Sequence, residues 1–113
     1  MRVKTSVASK RRKKRLLKQT KGFWGQRKNV YRRAKETLLR SLAFSYRDRK
    51  VKKRTMRSLW ISRINAALRE EGVTYSKFIH SLKVKEIDLD RRVLAELATN
   101  HPDKFKQLVQ SIN

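Results

Sequence analysis

Residues 1 to 60 of this chain carry 23 lysines and arginines against two carboxylates, Glu36 and Asp48, whereas residues 61 to 113 carry nine basic and seven acidic side chains. The first part therefore holds a net +21 of the chain's formal +23. Positive charge at that density opposes compaction unless a polyanion neutralises it. The imbalance predicts a division of labour: a basic extension over residues 1–58 that serves as a binding limb, and a small domain over 59–113 that holds the core. That domain lies near the lower size limit for independent folding.

Punctuation and spacing predict an all-α class. Residues 10 to 21 read as a basic helix with Leu16 and Leu17 as its sizeable apolar side chains, and Gly22 and Gly25 then predict a bend. No glycine or proline follows until Gly72, so residues 26 to 71 have no helix breaker. Tyr31, Ala34, Leu38, Leu42 and Tyr46 recur at helical steps, as do Trp60, Ile61, Ile64, Ala67 and Leu68. These spacings predict one long helix from about residue 26, with Gly72 at the position after its end. Trp60 reads as a core residue.

Shorter helices follow. Thr74 or Ser76 is a candidate cap for one carrying Phe78, Ile79 and Leu82, and Asp88 or Asp90 for one carrying Val93, Leu94, Leu97 and Ala98. Asn100 or His101 before Pro102 reads as the start of a last helix presenting Phe105, Leu108, Val109 and Ile112. The whole is a long basic N-terminal helical extension, bent near residues 22–25, plus a small C-terminal helical bundle.

Little in the sequence supports catalysis. With no cysteine, neither a disulfide nor a thiolate metal site can form. His80 reads as a surface or rim residue and His101 as a helix-start residue, not as metal ligands. Asp88 and Asp90 are a fragment of a calcium loop without the rest of it, and helix capping accounts for them better. Three dispersed glycines make no phosphate-binding loop. The reading is therefore a non-enzyme with no metal and no cofactor. No apolar run approaches a membrane span, and the first twenty residues lack the apolar segment of a secretory signal. Their unbroken cationic run, Lys10 to Arg15, also lacks the spacing of an amphipathic presequence.

The basic extension instead predicts a nucleic-acid partner, because lysine and arginine bind phosphates and release their counterions. The segment TKGFWGQRKNVYRR, residues 20 to 33, narrows this to RNA. Phe23 and Trp24 sit among cations where a core would not tolerate them, whereas splayed RNA bases stack on such rings. Gly22 and Gly25 let the backbone approach a ribose-phosphate chain. Folding of the two rings back onto Leu16, Leu17 or Tyr31 is the competing reading. Tyr31 and Tyr46 share an apolar stripe and suit either RNA or a neighbouring helix.

The segments KGFWGQRKNVYRRAKE, YRDRKVKKRTMRSLWISRINAALREEGVTYSKFIHSL and IDLDRRVLAELA resemble, in order and spacing, the bacterial-type large-subunit ribosomal protein twenty family. The resemblance implies a structural component of the large subunit, located in the ribosome of the bacterial cytoplasm or of an organelle. It implies direct binding to large-subunit rRNA of the 23S type, support of early subunit assembly, and contact with neighbouring ribosomal proteins. It implies neither a membrane nor a small-molecule substrate. For some members it extends to repression of their own synthesis through the C-terminal domain. By position, the implied RNA-binding residues are Lys10, Arg11, Arg12, Lys13, Lys14, Arg15, Lys18, Lys21, Gly22, Phe23, Trp24, Gly25, Arg27, Lys28, Tyr31, Arg32 and Arg33. Further along they are Arg47, Arg49, Lys50, Lys52, Lys53, Arg54 and Arg57, with Arg91 and Arg92 in the C-terminal domain. Thr55-Met56 and His80-Ser81 depart from the family pattern, which withdraws an aromatic contact at position 56.

Two other partner classes fit the charge. A DNA-architectural protein would use the same basic helix, but no dimerisation seam or groove-reading helix is evident. A membrane-surface helix needs one apolar face, and the cations of residues 47 to 54 point all round the axis.

Overall fold

The computed structural model describes residues 4–112. Five α-helices account for most of them: α1 (Ser6–Gln19), α2 (Tyr31–Glu70), α3 (Tyr75–Val84), α4 (Arg91–Asn100) and α5 (Pro102–Ile112), with a 3-10 turn at Gly25–Lys28. No strand occurs among the described residues, so the all-α expectation holds. They divide into two compact units at Lys50 and Val51, within α2.

In the first unit, α1 ends at Gln19 and the chain bends through Gly22 and Gly25, both with positive φ (88° and 61°). Such backbone favours glycine because a Cβ there meets the neighbouring carbonyl. The long helix starts at Tyr31, later than the expected residue 26. Two features delay it. Three-residue bonds, Arg27 N–H to the Trp24 carbonyl and Asn29 N–H to the Gln26 carbonyl, wind residues 25–28 too tightly for an α-helix. Asn29 then leaves the helical path at φ −127°. At about 1.5 Å per residue, the 40 residues of α2 measure about 60 Å.

In the second unit, four helical segments share one core. Ile64 and Leu68 of α2, Phe78 and Leu82 of α3, Leu94 and Ala95 of α4, and Phe105, Val109 and Ile112 of α5 are buried together. The Phe78 and Phe105 rings lie 5.7 Å apart and tilted by 50°, an arrangement that suits the quadrupoles of aromatic pairs. Trp60 is half-buried against this cluster, so it belongs to the core only by its edge. Val93 turns outward, because the buried stripe of α4 runs through Leu94 and Ala95. Thr74 and Asp90 do occupy the cap positions of α3 and α4, yet neither side chain caps by a hydrogen bond. His80 is exposed, and His101 stands between α4 and α5, where its carbonyl accepts the Phe105 N–H at 3.1 Å.

Two helices end alike. Gly72 N–H bonds the Arg69 carbonyl and Val73 N–H bonds the Leu68 carbonyl, with Gly72 at φ 71°. This paired closure satisfies carbonyls that the helix leaves open, and it seats Val73 on the core. At the end of α3, Glu86 N–H bonds Lys83 and Ile87 N–H bonds Leu82. Here the left-handed residue is Glu86, at φ 55°. Nothing in the sequence marked that position, since glutamate is a poor left-handed residue.

Two stability changes follow from this geometry. Glu86→Gly relieves the left-handed backbone and raises stability by about 0.5–1 kcal/mol, read as a higher thermal midpoint. Phe105→Ala removes the ring at the centre of a small core and costs about 3–5 kcal/mol, read by chemical denaturation followed by circular dichroism.

Candidate nucleic-acid interface

The first unit has little apolar surface to hold its bend, and a polar residue takes that role. Thr20 is fully buried, and its hydroxyl proton is shared between the carbonyls of Leu17 and Lys28, each 3.2 Å away. The second contact ties the end of α1 to the 3-10 turn. Phe23 and Tyr31 are half-buried and Ala34 is fully buried. Trp24 is not part of this packing: 88% of it is exposed. The two adjacent rings thus divide, Phe23 partly inward and Trp24 outward. Further along α2 the apolar stripe loses its cover, with Leu42 and Tyr46 56% and 59% exposed.

The bend gathers cations into two grooves of different chemistry. One, of about 770 Å³, is lined by Lys10, Lys13, Lys14, Lys18, Lys21 and Lys28 with Leu17 and Asn29. Lysines at 10, 13, 14 and 18 fall on one face of α1, and the chain beyond its end supplies Lys21 and Lys28. Ammonium groups act as point charges with no preferred plane, suited to a phosphate chain of any sequence. The other, of about 270 Å³, is lined by Arg27, Arg33, Glu36, Thr37, Arg40, Ser41 and Phe44. Guanidinium groups are planar forks that bind phosphate in pairs of hydrogen bonds and stack on rings. An adjoining groove of about 340 Å³ shares Arg27 and Arg33 with it and is bounded by Trp24, Gly25 and Gln26.

Of the other cations of α2, Arg32, Arg49, Lys50, Lys52, Lys53, Arg54 and Arg57 are exposed. So are Arg11, Arg12 and Arg15 of α1. A few expected contact residues already have partners. Arg47 pairs with Asp48 at 2.9 Å, and its guanidinium carbon lies 4.5 Å from the centre of the Phe44 ring. The Lys50 ammonium stands 4.7 Å from the centre of the Tyr46 ring. Arg91 is half-buried and its Nε donates to the Tyr75 hydroxyl at 3.0 Å. Arg92 pairs with Glu96 at 3.1 Å, an exposed pair of the i, i+4 kind that is worth only about 0.3–0.5 kcal/mol and yields readily to a phosphate. Both arginines stand in the first turn of α4, which has no acidic residue, where the helix dipole favours an anion.

Reading the sequence by its aromatic stripe missed Thr20, Glu36, Arg40 and Phe44. A signal for the last two exists. Positions 33, 37, 40 and 44 are spaced by four, three and four residues, so they share a helix face beside the apolar one. Among the described residues no group of histidine and carboxylate side chains could hold a metal, and no helix is long and apolar enough to cross a membrane.

Comparison with known proteins agrees with this chemistry. Residues 2–108 match the family model described as ribosomal protein L20. The chain is 51% identical over 112 residues to the large ribosomal subunit protein bL20 of Malacoplasma penetrans, covering 99% of this chain and 97% of that one. It is 50% identical over 107 residues to the protein of the same name from Flavobacterium johnsoniae, covering 95% and 94%. For that of Oleidesulfovibrio alaskensis the values are 54% over 112 residues, 99% and 96%.

The outward ring and the buried threonine separate binding from folding. Trp24→Ala leaves stability within about 0.5 kcal/mol, as for other exposed positions, while weakening RNA binding by about tenfold through lost stacking. Thr20→Val keeps the volume but frees the Lys28 carbonyl, costing about 1–2 kcal/mol in the local stability of the bend. Amide exchange at residues 20–30 reads the second effect, and equilibrium binding to rRNA reads the first.

Proposed function

The chain belongs to the ribosomal protein L20 family, and from that membership we propose that it is a structural constituent of the large ribosomal subunit, working in the cytoplasm as part of the ribosome. It binds large-subunit rRNA of the 23S type directly and supports subunit assembly without catalysing a reaction. Residues 1–58 act as the RNA-binding extension and residues 59–113 as the folded domain. The observation that carries this reading is the set of exposed cations over residues 10 to 57, where Glu36 and Asp48 are the only carboxylates. Phosphates supply the missing negative charge.

The mechanism is neutralisation combined with shape. RNA strands repel one another, and a cationic helix between them lets them approach. Cations all round α2 between residues 47 and 57 suit an element contacted on several sides. The lysine groove of α1 follows the backbone, and Trp24 offers a ring to an unpaired base. Arg91 and Arg92 at the start of α4 add a second, smaller contact from the folded domain.

Binding of the whole chain to a 23S-type rRNA transcript tests the reading. If about ten cations meet phosphates, log affinity falls against log salt with a slope of roughly −7 to −9. Structured rRNA should win over duplex DNA in competition at physiological salt, and equal preference would instead favour a DNA-architectural role. Amide exchange supplies a second measurement. The exposed backbone of residues 6–19 and 40–55 exchanges quickly in the free protein and slows on rRNA binding. The core helices around Ile64, Phe78 and Phe105 stay protected throughout.

A further inference from the structure

Within the basic first unit, one carboxylate stands where repulsion from RNA should exclude it. Glu36 lines the arginine cleft with Arg27, Arg33, Arg40 and Phe44, yet it makes no ion pair among the described residues. Asp48, the other carboxylate of the extension, is taken by Arg47. A carboxylate facing phosphates loses binding energy, and Glu36, whose oxygens are unpaired among the described residues, is open to accept from something other than a phosphate.

The ring in the same cleft identifies that something. Phe44 is 47% exposed, and the Arg47 guanidinium lies over it at 4.5 Å. A ring with a cation on one face presents its other face to a stacking partner. At about 270 Å³ the cleft suits one nucleotide, not a duplex. Three arginines can hold the phosphate of that nucleotide and the ring can hold its base. Glu36 then meets the edge of the base. Being an acceptor only, it pairs with amino and imino hydrogens. Adenine, cytosine and guanine each carry an exocyclic amino group, whereas the one donor on the edge of uracil, its N3–H, lies between two carbonyl oxygens that repel a carboxylate.

We propose that the Arg27–Arg33–Arg40 cleft is a single-nucleotide pocket that stacks one unpaired, amino-bearing base on Phe44 and reads its edge through Glu36. This rests on the rRNA-binding reading above and adds to it a site with base preference, in a surface otherwise built for phosphates. The lysine groove has no acceptor side chain other than the Asn29 amide and carries no comparable preference.

The test uses the full chain and a 23S-type rRNA transcript. A benzophenone crosslinker installed at position 44 identifies the nucleotide, which is then replaced by uracil in the transcript. Phe44→Ala should weaken binding about tenfold with an unchanged salt slope, because the ring is uncharged. Arg40→Ala should weaken binding and reduce the slope by about one contact. Glu36→Ala is the deciding variant, since alanine suits an exposed helical position and the fold is unaffected. A base-reading glutamate makes Glu36→Ala bind about tenfold more weakly despite the loss of a negative charge, and it removes the penalty for uracil. Tighter binding by Glu36→Ala would show a carboxylate that merely repels phosphate, and would overturn the pocket. So would a crosslink at position 44 that goes only to protein, or binding by Phe44→Ala within twofold of the parent chain. Failure of the parent chain to prefer rRNA over duplex DNA would instead remove the ribosomal reading itself.

Discussion

Repulsion among the cations of the first fifty residues is the constraint from which most of this molecule follows. The charge is too dense to be buried and has too few carboxylates to be paired, so these residues cannot collapse around a core. Helix is the backbone solution that remains. It satisfies its own N–H and C=O groups within one segment and needs no second strand or sheet to close it. The side chains then radiate, and each cation keeps its water until a phosphate replaces it. The scarcity of tertiary packing in this unit is thus a consequence of its charge.

Such an element still needs a defined bend, and the means used are small and polar. Positive φ at Gly22 and Gly25 turns the chain, and a buried threonine hydroxyl bridging Leu17 and Lys28 holds the turn. A hydrophobic clasp would have needed apolar side chains where cations are wanted. The folded domain uses the opposite economy, with its nearly balanced charge allowing Phe78, Phe105 and their aliphatic neighbours to meet. The ends of α2 and α3 are closed by backbone bonds at Gly72 and Glu86, and Thr74 and Asp90 at the starts of α3 and α4 make no side-chain cap.

Two kinds of cation come from this arrangement. Lysines on one face of α1 converge with Lys28 around a broad groove, while arginines of the 3-10 turn and α2 converge around a narrow one. The compact, strongly hydrated ammonium suits contact without sequence preference, and the planar guanidinium suits stacking and fork-like contact. A single surface can in this way combine affinity that depends on salt with a position that depends on the base.

The sequence by itself determined the helical class, the charge division, the bend at the glycines and most of the core. These depend on composition and on periods of three and four residues, which are local properties. Leu42 and Tyr46 showed its limit, because periodicity names a face but does not say whether anything covers it. The start of α2 at Tyr31, the outward turn of Trp24 and the left-handed Glu86 were decided by bonds between residues that propensity treats separately. Only the tertiary structure brought Arg27 beside Arg33 and Arg40, with Glu36 and Phe44 in the same cleft. Arg27 precedes the helix that carries the others, and the geometry of the intervening turn sets where its side chain ends.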